Sequence, residues 1–93
     1  MEIIKVLGKV LSHCINISPL ASRGLLKLAI KDELGPFIAF KELIYQDLKK
    51  VIRNSLRERL KKLGVQEKRI ETIIKQLGNA LSENQSLIIM EKA

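Results

Sequence analysis

Ile3, Leu7, Val10, Leu11 and Cys14 recur at spacings of three and four, so the chain opens on an amphipathic helix. Gly8 costs that helix about 1 kcal/mol relative to alanine, and the pattern stops near Asn16. Ser18 followed by Pro19 reads as an N-cap and first-turn pair. The hydroxyl takes one orphan backbone N–H, and the donor that proline lacks is not needed there. The second helix runs to about Leu34 with Leu20, Leu25, Leu28 and Ala29 as its apolar positions. Ala21, Ser22 and Gly24 form a small-residue patch where another backbone can come close.

Gly35 ends this helix and Pro36 opens the third. From Phe37 the helical pattern continues unbroken to Leu63, and Ile44, Tyr45, Leu48, Val51, Ile52, Leu56, Leu60 and Leu63 occupy about half of the wheel. Gly64 supplies a left-handed stop. A fourth helix begins at Gln66, carries Ile70, Ile73, Ile74, Leu77 and Leu81 on one face, and ends near Glu83. The tail Leu87 to Met90 is apolar throughout, and periodicity alone does not assign it. The expected fold is all-α: one domain over residues 1–93, a small four-helix bundle with one long central helix and a short apolar tail. About 28 residues at 1.5 Å make the third helix ~42 Å long. A sphere for a chain of this length is roughly 32 Å across, so a homodimer covering the overhang is expected.

Composition agrees with helices. Ile and Leu dominate, and Phe37, Phe40 and Tyr45 are the whole aromatic set. With 46% hydrophobic and 29% charged residues the chain falls among globular proteins and not disordered ones. The lone Cys14 allows no intrachain disulfide, and the first residues are too short and too polar for a membrane span or a signal core. A cytoplasmic setting without membrane insertion is expected.

Charge changes the picture most. The net +7 is confined to residues 49–69, where Lys49, Lys50, Arg53, Arg57, Arg59, Lys61, Lys62, Lys68 and Arg69 face only Glu58 and Glu67; the rest of the chain is neutral. Lys49, Arg53, Arg57 and Lys61 repeat every four residues, with Lys50 beside them, on the arc opposite the apolar side. Like charges at that spacing cost about 0.2 to 0.5 kcal/mol per pair, and a solubilising surface interleaves acids, as Glu58 does with Lys62. A single-sign row points to an anionic partner. Arg59 and, less clearly, Lys62 fall on the apolar side and need either an escape to solvent or a carboxylate.

Residues Leu60 to Leu77 resemble a helix-turn-helix, with Leu63, Gly64 and Val65 in the turn. The resemblance covers 18 residues, and Leu60 stands where that motif prefers a small side chain. It implies that Gln66, Lys68 and Arg69 face base edges in a DNA major groove. No aromatic stands in the basic segment to stack single-stranded bases, so duplex DNA is favoured over RNA. The competing reading is a scaffold module that dimerises through the long helix and sets its basic row against an acidic protein. Catalysis and cofactors are not expected. His13 and Cys14 point about 100° apart on a helix, no glycine-rich phosphate loop appears, and the carboxylates Asp32, Glu33, Glu42 and Asp47 read as helix-end charges.

Overall fold

Ser18 stands in extended backbone, and its hydroxyl accepts the N–H of Ala21 at 3.1 Å, so α2 (Pro19–Leu34) begins where the Ser–Pro pair places it. The preceding α1 (Glu2–Ile15) gives way to Asn16 at φ 55°. α2 closes at Gly35, whose φ of 102° suits glycine and whose N–H reaches the Lys31 carbonyl at 2.9 Å. The computed structural model describes residues 2–92, with side chains from 2 to 89.

The buried side of α2 differs from the predicted one. Ser22, Leu26, Ala29 and Ile30 face inward, while Leu20 is 73% and Leu28 47% exposed. Leucine and isoleucine are spread around this helix, so periodicity permits several faces, and packing against α1 selects one. The close approach also moves. A Cβ on Gly8 would lie 2.6 Å from Arg23 Cγ, whereas nothing lies within 4 Å of one on Gly24.

The third helix is shorter than its hydrophobic pattern. Residues after Gly35 form a turn and a 3-10 turn (Phe40–Glu42), and α3 (Tyr45–Val51) starts only where Asp47 accepts the N–H of Ile44 at 3.2 Å. Pro36 therefore lies in a loop and opens no helix, and that loop carries Leu43 into the core. α3 continues without interruption into a π turn (Ile52–Leu56) and α4 (Arg57–Lys62). This rod, residues 45–62, is about 27 Å long and fits inside a molecule of 38 × 26 × 22 Å. The overhang that called for a dimer is absent, and the rod's stripe of Leu48, Val51, Ile52, Leu56 and Leu60 is covered within the chain. Ile44 and Leu63, predicted on that stripe, lie at its exposed ends.

The π turn has a cause in the sequence. Leu48, Ile52, Leu56 and Leu60 are spaced by four, and each step of four in an α-helix overshoots a full turn by ~40°. Three steps would rotate Leu60 by ~120° away from the side of Leu48. An i→i+5 turn underwinds the helix and cancels much of that drift. All four side chains are accordingly at most 2% exposed, each contributing about 1.5–3 kcal/mol of burial.

Gly64 (φ 85°) makes the corner after α4, and α5 (Glu67–Glu83) returns antiparallel along the rod, burying Ile70, Ile73, Leu77 and Leu81. The tail is helical: α6 (Gln85–Lys92) buries Ile88 and leaves Ile89 exposed, while the side chain of Met90 lies outside the described residues. The fold is an all-α bundle, with no strand among the described residues.

The two helix-interior glycines of the α1–α2 pair predict opposite effects of one substitution. Gly8→Ala gains about 1 kcal/mol of helix propensity but forces Arg23 aside at about 1–3 kcal/mol, a net loss. Gly24→Ala meets nothing and is expected to gain about 1 kcal/mol. Urea unfolding of the two variants measures both signs.

Candidate nucleic-acid interface

Straightening of the four-residue apolar repeat also straightens the repeat one position on, Tyr45, Lys49, Arg53, Arg57 and Lys61. That row runs along the edge of α5 and not along the arc opposite the core. The Tyr45 hydroxyl is 3.0 Å from Ser82 Oγ near the end of α5, and Arg57 pairs with Glu67 at its start. Lys49 and Arg57 are half-buried as a result, and Lys50, Arg53 and Lys61 are exposed.

The two ends of the seam differ in charge. At one, Glu67 binds Arg57 and stands 3.9 Å from Lys61, which also lies 3.8 Å from Glu58. Glu58 therefore meets Lys61, where the sequence suggests Lys62. At the other end, Lys49 Nζ sits 5.9 Å from the Tyr45 ring centroid, a cation–π distance. There the rod and α5 frame a groove of about 290 Å³ that holds Lys49, Arg53 and Lys75 with Asn79 and Ser82. Gln46, Lys49, Lys50, Arg53 and Asn54 line the adjoining surface, and among the described residues no carboxylate borders either place. On its other flank Arg53 borders a depression that contains Asp32 and Glu58.

Arg59 finds the carboxylate that its position on the apolar side requires. Its Nε and Nη2 reach the two oxygens of Asp32 at 2.5 and 3.0 Å, tying α4 to the end of α2. Ser55 donates to Glu33 at 2.9 Å in the same region. The bond from Arg59 holds the Asp32 carboxyl below its ordinary value and raises the guanidinium. Asp32 and Glu33 stand at the end of α2 as the sequence suggests, Asp32 exposed and Glu33 half-buried, and both are partners of the rod as well.

At the corner, Gln66 is the N-cap residue of α5, and its side chain makes no capping bond. Gln66, Lys68 and Arg69 are all exposed. Arg69 is committed in part to the fold: its Nη2 donates to the Cys14 carbonyl at 2.8 Å, satisfying an orphan acceptor at the end of α1. The Cys14 thiol donates to Gln76 Oε1 at 3.0 Å, and burial pushes its pKa up against the opposing charge of Arg69. Among the described residues no group of three His, Cys, Asp or Glu side chains is placed to hold a metal ion, and no single helix is long and apolar enough to cross a membrane.

The groove wall on α5 is the part that sequence reasoning misses. Lys75 and Asn79 are four apart on that helix and Gly78 stands between them, but nothing in the sequence links them to Lys49 and Arg53. Comparison of the chain with protein-family models, with curated proteins and with solved structures finds no match. The fold and the site define an all-α bundle with a cationic seam, half neutralised by its own carboxylates.

The Asp32–Arg59 pair predicts a pH dependence. The folded carboxyl lies below its unfolded value, so its stabilisation is complete above about pH 4 and is lost as pH falls through the folded value. Asp32→Asn is expected to lower stability slightly at neutral pH, given the exposure of the pair, and to flatten the decline in acid. Urea unfolding at about pH 7 and pH 3 tests this, and an unchanged acid limb would refute it.

Proposed function

We propose that the protein binds nucleic acid, duplex DNA in preference to RNA, through the cationic side chains of the rod. The observation that carries this reading is the cluster of Lys49, Lys50, Arg53 and Lys75, gathered from two helices with no carboxylate bordering the groove or its adjoining surface among the described residues. Such a cluster repels itself, and phosphate neutralises it while releasing counterions. Arg57 and Lys61 stand on the same row but lean on Glu67, so their share in binding is smaller. In this reading sequence preference comes from Gln66 and Lys68, which are exposed at the start of α5, and less from Arg69, which is restrained by Cys14.

Phosphate contacts of this kind give a log–log salt slope of about −0.9 per contact. Replacing Lys49, Lys50 and Arg53 together by Gln is expected to flatten the slope for duplex DNA by about 2 to 3, and the pair Arg57→Gln, Lys61→Gln by less. Glu67→Gln, which releases two cations, is expected to tighten binding. Fluorescence polarisation at two salt concentrations, with duplex DNA, single-stranded RNA and an acidic polypeptide, measures all three. Unchanged duplex binding in the triple variant would overturn the reading, and preference for the polypeptide would replace it with the scaffold alternative.

A further inference from the structure

Gly78 lies in the middle of α5, where glycine weakens a helix, and no packing requires it: a Cβ built there meets nothing within 4 Å. The same residue lines the groove between the rod and α5. A side chain at this position would project into the open space that Lys49, Arg53 and Lys75 surround. What the missing side chain preserves is the groove.

The walls of that groove have one chemistry. Lys49 and Arg53 stand on the rod and Lys75 on α5, and Asn79 adds an amide donor one helical turn beyond Lys75. Tyr45 bridges to Ser82 and closes one end, which also keeps Lys49 over its ring. Ile52, Ile74 and Leu81 form an apolar floor. Three cations and an amide around a recess above apolar side chains suit a compact polyanionic oxygen group, with the guanidinium of Arg53 able to bind two of its oxygens.

We infer that this groove is a phosphate-binding site, taking a phosphate ester group between Lys49 and Arg53 on one side and Lys75 and Asn79 on the other. A small phosphorylated molecule and the backbone of a nucleic acid present that same group. The site rests on the groove and on Gly78, and it holds even where duplex binding fails.

Inorganic pyrophosphate titrated into the whole protein, followed by amide and side-chain NMR, tests this directly. Saturable shifts are expected, largest at Arg53, Lys75, Gly78 and Asn79. Gly78→Glu places a carboxylate among the three cations and is expected to weaken binding more than tenfold without lowering the melting temperature. Lys75→Gln, at an exposed side chain with no ion pair among the described residues, is expected to weaken it roughly three- to tenfold, the loss of one charge-assisted bond. Absence of saturation, shifts of equal size at Lys27 and Lys31 on α2, or full binding by Gly78→Glu would each overturn the site. Displacement of bound pyrophosphate by duplex DNA assigns the site to backbone phosphate, and its retention alongside duplex assigns it to a free phosphate ester; either supports the site.

Discussion

The spacing of Leu48, Ile52, Leu56 and Leu60 constrains everything around it. A repeat of four does not match the 3.6 residues of an α-helical turn, so an ordinary helix cannot keep all four against one core. The chain resolves the mismatch by underwinding at Ile52–Leu56, and the side chains of that row become almost wholly buried. The next row must follow. Tyr45, Lys49, Arg53, Arg57 and Lys61 are carried into line along α5, and a core-packing requirement thereby determines where the positive charge lies. Turns of the π type are often found at functional sites, and here one sets the register of the candidate site.

Alignment against α5 divides the charge into used and unused parts. Arg59 is held by Asp32, Arg57 and Lys61 share Glu67, and Arg69 caps α1 through the Cys14 carbonyl. These contacts join α4 to α2, α4 to α5 and α5 to α1, so part of the positive segment serves cohesion. They are partly exposed and each contributes modestly. Lys49 and Arg53 are different, because the side of α5 that they approach offers Lys75 in place of an acid, and Lys50 lies on the rod surface beside them. The uneven placement of Glu67 and Lys75 along one helix makes one end of the seam neutral and the other strongly cationic.

Much of the fold is legible in local chemistry. Ser18–Pro19, Gly35 and Gly64 act within their own turns, and caps of this kind depend on hydroxyls, missing donors and allowed φ angles that are properties of a few neighbouring residues. The periodicity of α5 is strong enough to identify its buried face, and that of α1 finds Ile3, Leu7 and Leu11 but not Ile4. The start of the third helix is misread because its apolar pattern runs on through Phe37–Leu43, and the pattern says nothing of the loop that buries Leu43 separately. The tail is helical because α6 has a core to lie on, which four consecutive apolar residues do not reveal.

Residues close together in the chain are enough to make this protein all-α, to put caps or corners at Ser18, Gly35 and Gly64, and to concentrate its charge in residues 49–69. Packing of the whole chain sets which cations are spent on Glu67 and Asp32, which face of α2 is buried, and that Lys75, Gly78 and Asn79 stand opposite Lys49 and Arg53. The physical reason is the range of the interactions. Helix propensity and capping act over one turn, whereas a counter-ion or a groove wall comes from a different helix, and its position depends on how the whole core packs.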